Sequence, residues 1–252
     1  MSEPVFDPAF DTEGLFDDDY LYFYATRDPG GGLSDAETDL IWRLLSLEPG
    51  MAVLDLACGH GRIANRLAAR GAVVAGLDVT PRFLELARDD AAARGVEVEY
   101  VQGDMRELPW TERFDRVVNW FTAFGYFDDT GNRRVLAEVA RALRPGGRVA
   151  IELNNYPAIM RTYLPSTVVE RDGNLMIDRH RFDPLTGRNL VERTIIRDSL
   201  VRRTHFEVRM FTYPELRDWL LEAGFAAVAG YGEDGEPLTA QHRRLIAIAS
   251  LP

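Results

Sequence analysis

A short loop with two glycines and two nearby acids is the part of the sequence best suited to bind a cofactor. The apolar stretch Ala52–Leu56 leads into this loop, where Gly59 and Gly61 allow tight turning and close approach of a ligand. A helical pattern follows, and the free N–H groups at a helix start bind a carboxylate. Asp55 lies four residues before Gly59, where it would meet a ligand ammonium. Asp78 follows the glycines by about 20 residues and suits a ribose diol.

These features fit either a nicotinamide dinucleotide or S-adenosylmethionine (SAM). The run from Gly59 to Ala64 has the G-x-G-x-x-G/A form of nicotinamide-binding loops. Three observations favour SAM: Asp55 at the strand end, a glycine loop that begins near residue 57 after a helical preface, and Asp104 after the third predicted strand. Asp104 suits the adenine amino group. We therefore expect SAM as the cofactor and S-adenosylhomocysteine (SAH) as its product.

The elements that must position these residues alternate between apolar runs and amphipathic stretches, which is the pattern of parallel βαβ units. Predicted strands span residues 52–56, 73–77, 96–101, 115–119 and 148–153, and predicted helices span 62–70, 81–94 and 131–143. A helix at 214–223 and strands near 226–230 and 245–249 follow later in the chain. This order predicts one α/β sheet with its helices packed against it.

Residues 157–211 differ from this pattern. Short β-branched stretches at 167–170, 175–181, 191–198 and 204–211 are separated by turn residues. We interpret residues 157–211 as an antiparallel β insert that caps the substrate site. The cofactor-binding domain would then comprise 46–156 and 212–252, after an N-terminal helical preface or lid at 1–45 in which a helix at 35–45 is clearest.

The ordered motifs resemble those of the class I, Rossmann-like, SAM-dependent methyltransferases over roughly residues 40–155 and 212–250. Asp78 resembles the acid of their motif II, and one departure is Ala57, which replaces the commoner first glycine of motif I. The other resembling segments are 54–61 (motif I, D-x-x-x-G-x-G), 103–105 (the turn that contacts adenine), 114–120 (motif IV), 143–147 (the turn before strand five) and 220–225 (the last helix end).

The resemblance implies a fold and a set of cofactor ligands. The fold is a seven-stranded, mostly parallel sheet flanked by helices on both faces, with an antiparallel last strand and an antiparallel β insert after strand five. The implied cofactor-binding residues are Asp55, Ala57, Cys58, Gly59, Gly61, Asp78, Val79, Asp104, Met105, Asn119 and Trp120.

An acceptor site is expected beyond the carboxyl ends of the strands, where doubly wound sheets bind their ligands. Aromatic residues follow strand four directly, and a second aromatic run lies at 20–24. Such rings pack an organic substrate or hold a cation against their faces. With the insert over the pocket, the arrangement resembles glycine- and aminosugar-type N-methyltransferases in outline. The predicted substrate contacts are Tyr20, Tyr24, Phe124, Tyr126, Asn154, Asn155 and Tyr156.

Methyl transfer from a sulfonium depends on the alignment of donor and acceptor more than on a dedicated catalytic group. A base is needed only for an acceptor that is protonated at the working pH. The candidates for a catalytic role are His180, His205 and Tyr24. No metal is expected, because no dense cluster of acidic residues marks a metal-dependent site.

Composition narrows the class of partner and the location. A net charge of -11 would repel a polyanion at long range, so a nucleic-acid partner is not expected. No apolar run approaches the roughly 20 residues that span a bilayer, and the acidic start is unlike a signal peptide. The single cysteine, Cys58, fits a reducing cytoplasm. A homodimer through the exposed strand edges of the insert stays open.

The sequence therefore predicts a cytoplasmic methyltransferase that moves the methyl group of SAM to an amine or hydroxyl of a small molecule, a specialised metabolite of natural product biosynthesis. Three alternatives stay open: C-methylation of a small molecule, a non-catalytic SAM-binding protein and an NAD-dependent oxidoreductase. The last would need a catalytic motif such as Tyr-x-x-x-Lys, and the chain has none.

Overall fold

The computed structural model describes residues 12–24, 28 and 31–252. The helices in these residues are α1 (Thr12–Leu15), α2 (Asp18–Tyr24), α3 (Gly32–Leu44), α4 (Ala64–Ala69), α5 (Pro81–Arg94), α6 (Asp129–Ala142), α7 (Tyr156–Arg161) and α8 (Tyr213–Glu222). The strands are β1 (Ala52–Leu56), β2 (Val73–Asp78), β3 (Val98–Gln102), β4 (Phe114–Asn119), β5 (Leu143–Asn154), β6 (Ser166–Arg171), β7 (Asn174–Asp183), β8 (Arg188–Arg197), β9 (Leu200–Arg209), β10 (Ala227–Tyr231) and β11 (Arg244–Ser250).

The larger sheet has seven strands in the order β10-β11-β5-β4-β1-β2-β3. Strand β1 pairs in parallel with β2 and β4, and β4 pairs in parallel with β5. Only β11, among these described strands, runs antiparallel to its neighbours β10 and β5. The predicted α/β fold with an antiparallel last strand is therefore confirmed. The carboxyl ends of β1, β2 and β4 meet at one edge, which carries the glycine loop and Asp78.

The core lies on both faces of this sheet because side chains alternate along each strand. On β1, Val53 joins a buried cluster with Leu67 of α4 and Leu84 of α5. Its neighbour Leu54 joins the other cluster, with Leu136 of α6 and further residues of α8. Helices thus cover both faces, as predicted. No helix in the described part of the chain is long and apolar enough to cross a membrane.

Strands β6, β7, β8 and β9 form a separate antiparallel sheet, which we call the insert sheet. Helix α2 packs on one side of it, which we call the inner face. Phe23 contacts Met176 and Ile195 there in a small buried cluster. Asp19 also accepts hydrogen bonds from Arg197 at 2.9 Å and from Arg202 at 2.7 Å. Apolar contact and ion pairing together fix α2 on the insert sheet.

Several boundaries differ from the prediction, and each has a local cause. Strand β5 begins at 143 and not at 148, because Leu143 already pairs with Phe114 of β4. A register shift separates this pair from the next one, between Arg116 and Arg148. Strand β9 covers 200–209 and not 204–211. Asp198 and Ser199 form the preceding turn with φ values of 50° and 66°, and two successive positive φ values are typical of tight hairpins. Helix α7 was not predicted, because its six residues are too few for a clear periodicity.

Candidate active site

The glycine loop turns sharply between β1 and α4. Ala57, Gly59 and Gly61 all have left-handed backbones, with φ values of 60°, 54° and 78°. The Cys58 N–H donates to the Leu77 carbonyl at 3.0 Å, which ties the loop to the end of β2. A left-handed backbone costs a non-glycine residue about 1–2 kcal/mol. This cost at Ala57 explains why a glycine is commoner at that place in motif I.

Gly61 is expected to be the least replaceable residue of the loop. A Cβ atom at this position would lie 2.9 Å from the Ala87 Cβ and would overlap the Tyr100 hydroxyl. We predict that Gly61→Ala lowers the free energy of unfolding in urea by about 2–4 kcal/mol. Gly95→Ala is the matched control, because Gly95 has a φ of 67° but open space around it. Equal losses in the two variants would attribute the effect to backbone strain and not to the contact.

Asp78 joins the ends of β1 and β2. Its Oδ2 accepts the Gly59 N–H at 2.8 Å, and its Oδ1 accepts the Thr80 N–H at 2.9 Å. The residue is 8% exposed, and burial raises the pKa of its carboxyl despite these bonds. Each carboxylate oxygen has two lone pairs, so both oxygens can still accept a hydroxyl of a ribose. Asp78 therefore suits two tasks, which are fixing the glycine loop and binding a diol.

Two buried oxygens near the glycine loop have no hydrogen-bond partner among the described residues. They are Asp55 Oδ2 and Asn119 Oδ1. Asp55 is 3% exposed and Asn119 is 2% exposed. The Asn119 amide donates to the Leu56 carbonyl at 3.0 Å, which fixes its orientation. Burial raises the pKa of Asp55 to about 7. Unpaired buried acceptors are costly, so this place suits a ligand that brings its own donors.

The arrangement fits SAM. Acceptors on the neighbouring strands β1 and β4 would hold its amino group, the glycine loop its carboxylate and Asp78 its ribose. Trp120 and Cys58 pack in one buried cluster beside these groups. Burial also raises the pKa of the Cys58 thiol, which keeps it neutral and poorly nucleophilic. When bound, SAM supplies an electrophilic methyl group on a sulfonium.

The predicted adenine contacts lie at the carboxyl end of β3, and Val79, another predicted cofactor contact, follows β2. Asp104 accepts hydrogen bonds from the Arg106 guanidinium at 2.6–3.1 Å and from the Arg106 N–H at 2.8 Å. Burial raises the pKa of Asp104, but these bonds outweigh it, so the net shift is downward. Met105 packs against the core, and Val79 is 39% exposed. Contacts of Asp104 and Met105 with adenine, and of Val79 with the cofactor, stay a prediction.

Aromatic rings from α2, the loop after β4 and the insert sheet form what we call the aromatic cluster. Tyr20 and Tyr24 stack with ring centroids 4.4 Å apart, and Tyr24 meets Phe121 edge-on at 6.3 Å. Tyr126 lies 6.3 Å from Phe206 of β9. Burial raises the pKa of both Tyr20 and Tyr126, and the nearby phenols of Tyr24 and Tyr126 add to the shift at Tyr20. The cluster therefore presents neutral rings and hydroxyls.

Two predicted substrate contacts have structural roles instead. Phe124 is 1% exposed and stacks on Phe211 in the core at 5.3 Å. The Asn155 amide donates to the carbonyls of Thr239 and His242 at 3.0 and 2.7 Å, so it holds the loop before β11. Both side chains are used where the chain leaves a strand end. The alternation of the sequence alone does not reveal this use.

The remaining polar and aromatic candidates lie at the end of β5 and just after it. The Asn154 side-chain oxygen accepts a hydrogen bond from Arg244. Tyr156 begins α7, and its ring lies 5.7 Å from that of Phe182 in β7. The structure thus brings Tyr156 to the insert sheet, and its contact with a substrate stays a prediction.

The two histidines lie on opposite faces of the insert sheet. His205 is exposed and pairs across the strands with Glu192, so it faces away from Phe206 and the aromatic cluster. This placement departs from the prediction of a base in the pocket. His180 is half-buried on the inner face, and its ring nitrogens lie 3.2 Å from Thr167 Oγ1 and 3.3 Å from the amide nitrogen of Asn189. Burial lowers the pKa of His180, so the ring is neutral.

A row of polar side chains crosses the inner face, and the sequence analysis missed it. The register places Thr167, Asp178, Arg193 and Thr204 opposite one another, and we call them the polar row. Arg193 donates to both oxygens of Asp178 at 2.7 Å and to the Tyr24 hydroxyl at 3.2 Å. The buried Thr204 hydroxyl has no partner among the described residues. Each of these residues comes from a different strand, so only the pairing register could reveal the row.

No group of His, Cys, Asp and Glu residues in the described ranges could hold a metal ion. The described residues of the site offer hydrogen bonding, aromatic packing and alignment. These are the means by which two bound reactants are held for a displacement reaction.

The architecture is the Rossmann-like methyltransferase fold. A SAM-dependent methyltransferase of Clostridium acetobutylicum superposes with a TM-score of 0.77 at 15% identity, over 92% of this chain and 98% of that one. The SAM-bound amino pentose methyltransferase CalS10 of Micromonospora echinaspora, involved in calicheamicin biosynthesis, gives a TM-score of 0.67 at 23% identity, over 95% and 99% of the two chains.

Sequence comparison agrees with the fold. Residues 53–147 match the family model described as methyltransferase domain. The demethylmenaquinone methyltransferase of Thermus thermophilus is 37% identical over 121 residues, which are 45% of this chain. This chain spans about half the length of that relative, 54%. Residues 53–147 are therefore similar to the methyltransferase domain family, and the predicted resemblance is supported over this part of the chain.

Proposed function

We propose that this protein transfers the methyl group of SAM to an amine or hydroxyl of a small molecule. The observation that carries the proposal is the position of the aromatic cluster. Its rings come from α2, from the loop that follows Asn119 and from the inner face of the insert sheet. An acceptor held among them would lie beside the residues that fit SAM. Rings of this kind pack an organic molecule and also attract a cationic amine.

The polar row supports an acceptor that carries hydroxyl groups. Thr204 has a buried hydroxyl without a partner among the described residues, and a buried donor of this kind favours a ligand that satisfies it. Arg193 is neutralised by Asp178 and is flanked by Phe206, with its guanidinium carbon 5.2 Å from the ring centroid. The polar row and the adjoining aromatic rings therefore form a surface that is neutral and polar as well as aromatic. It suits a hydroxylated specialised metabolite better than a polyanion.

The reaction is an in-line displacement. A lone pair of the acceptor nitrogen or oxygen forms a bond to the methyl carbon, and the bond from that carbon to the sulfonium sulfur breaks. The sulfur leaves as a neutral thioether, and a proton passes from the methylated nitrogen or oxygen to water. Residues of this chain contribute by holding both reactants in line. The Tyr24 hydroxyl accepts a hydrogen bond from Arg193 at 3.2 Å, and we expect it to orient the acceptor.

A general base is not essential if the acceptor is an amine. His180 is neutral but both of its ring nitrogens already have neighbours within 3.3 Å. Tyr24 is the better candidate for a direct contact with the acceptor, because its ring lies in the aromatic cluster. An amine that arrives unprotonated needs only alignment.

The test is an assay of SAH formation from SAM with a panel of amine, hydroxyl and carbon-nucleophile acceptors, several of them hydroxylated. We expect turnover with an amine or hydroxyl acceptor and none with the Asp78→Ala variant. Turnover of carbon nucleophiles alone would favour C-methylation. That alternative draws support from the relative named demethylmenaquinone methyltransferase, because its named substrate is a quinone. SAH binding without any turnover across the panel would contradict the proposal.

A further inference from the structure

The loop after β4 has an unusual backbone. Phe121 and Thr122 follow each other with φ values of 64° and 58°, and neither is a glycine. Two consecutive left-handed residues with side chains are costly, and such conformations persist only where the surroundings hold them. Thr122 is also β-branched, which makes this conformation rarer still. Some part of the structure must therefore hold this loop.

Glu152 stabilises the left-handed conformation of this loop. Glu152 is 4% exposed and lies on β5, next to the end of β4. One carboxylate oxygen accepts the N–H groups of Phe121 and Thr122 at 2.7 and 3.3 Å. The Glu152 backbone carbonyl accepts the Thr122 N–H as well, at 3.2 Å. Both left-handed residues are thus bonded to a single buried glutamate.

Arg244 closes the arrangement from β11. It bonds to the second carboxylate oxygen of Glu152 and to the Asn154 side chain. It also donates to the Thr122 hydroxyl at 2.8 Å. A buried carboxylate needs such a partner, since an unpaired buried charge is strongly unfavourable. Arg244 therefore pairs with the buried Glu152 carboxylate and bonds the same loop at a second point.

The loop matters because of where it places the ring of Phe121. The Arg62 guanidinium lies 5.0 Å from the centroid of this ring, and Tyr24 meets it edge-on at 6.3 Å. Arg62 directly follows the glycine loop, whereas Tyr24 belongs to the aromatic cluster. Asn119, with its unpaired oxygen, lies only two residues before Phe121. Phe121 thus stands between the cofactor-binding residues and the proposed acceptor site.

We propose that Glu152, paired with Arg244, is a positioning residue for methyl transfer. It holds Phe121 and Thr122 in a left-handed conformation so that the Phe121 ring separates and aligns the two reactants. The inference rests on the proposed function, because alignment matters only if an acceptor binds at the aromatic cluster. Its consequence is specific: loss of the hold lowers the rate of transfer more than the affinity for SAH.

The test is Glu152→Gln, which keeps the shape of the side chain but replaces one acceptor oxygen with a donor. We expect amide hydrogen exchange in residues 120–124 to become at least ~10-fold faster, because the hydrogen bonds of two backbone N–H groups weaken. We expect kcat to fall about 10–100-fold, while the dissociation constant for SAH changes less than ~3-fold. Glu233→Gln is the control, because Glu233 accepts the Arg244 backbone N–H at 3.0 Å but does not contact the loop.

A second variant separates positioning from general destabilisation. Thr122→Gly removes the cost of the left-handed backbone at that residue, so the loop should depend less on Glu152. In the Glu152→Gln background it should slow the exchange of residues 120–124 and restore kcat at least ~3-fold. Faster exchange across the whole chain, or an equal loss of SAH affinity and kcat, would overturn the inference. The exchange measurement needs no acceptor, so an unaltered loop would sink the inference even if the proposed function failed.

Discussion

Replacing Asp78 with alanine should weaken SAH binding ~100-fold or more, because the variant loses hydrogen bonds to a buried carboxylate worth about 1.5–3 kcal/mol each. Asp78 accepts the N–H groups of Gly59 and Thr80 at 2.8 and 2.9 Å. The variant would therefore lose the ribose contact and also the bond that holds the glycine loop in place. Titration calorimetry with SAH measures the change directly.

Two matched variants make this result specific. Asp89 is exposed on α5 and carries the same charge, so Asp89→Ala should bind SAH like the unaltered protein. Asp78→Asn keeps one acceptor oxygen and should give an intermediate loss. NAD serves as the comparison ligand, and no binding is expected. Unchanged SAH affinity in Asp78→Ala would remove this carboxylate from the cofactor site and leave it only a structural role.

Local signals in the sequence predicted some elements to the residue. Strand β1 and helix α5 have the predicted bounds, Ala52–Leu56 and Pro81–Arg94. For α5 the reason is chemical: Pro81 suits a first helical position, and Gly95 ends the helix with a φ of 67°. Strand β9 lacked such a signal, because Asp198 and Ser199 make a left-handed turn without glycine. Its predicted start was therefore four residues late.

The residues of the site also differ in how well the sequence predicts their positions. Residues of the glycine loop and Asp78 are close in space because consecutive parallel strands end at one edge, and this follows from sequence order. Glu152 and Arg193 act through partners on other strands, and their contacts depend on register. The two histidines of the insert sheet show most clearly that the sequence does not predict the strand register. His180 pairs with Val191 on the inner face, whereas His205 pairs with Glu192 on the exposed face. Two strands of uncertain register do not reveal that difference.

Asp55→Asn should stabilise the free protein at pH 8 and weaken SAH binding. Burial raises the pKa of Asp55 in the folded state to about 7, above its ordinary value of 3.8. The folded state therefore binds more protons than the unfolded state between these two values, and stability falls as pH rises through this window. Each pH unit of the window costs about 1.4 kcal/mol, so the full effect is at most ~4 kcal/mol. Asparagine cannot ionise and escapes this loss.

Unfolding in urea at several pH values measures the difference in stability between the variant and the unaltered protein. Well below pH 3.8 the Asp55 carboxyl is protonated in both the folded and the unfolded state, so this difference should not vary with pH there; it should grow as pH rises and level off above about pH 7. Asp89→Asn, on the exposed face of α5, is the matched control for the loss of one carboxylate.

SAH binding should show the opposite preference to folding stability. A ligand ammonium favours the ionised carboxylate, so the affinity of the unaltered protein should rise with pH up to about 7 and then level off. Asp55→Asn should bind at least ~10-fold more weakly, with no pH dependence in this range. A variant that is no more stable at pH 8, or that binds SAH equally well, would contradict the assignment. The unpaired Oδ2 of Asp55 is thus a cost to the free fold that the ligand removes, which is why an acid is kept where asparagine would fold better.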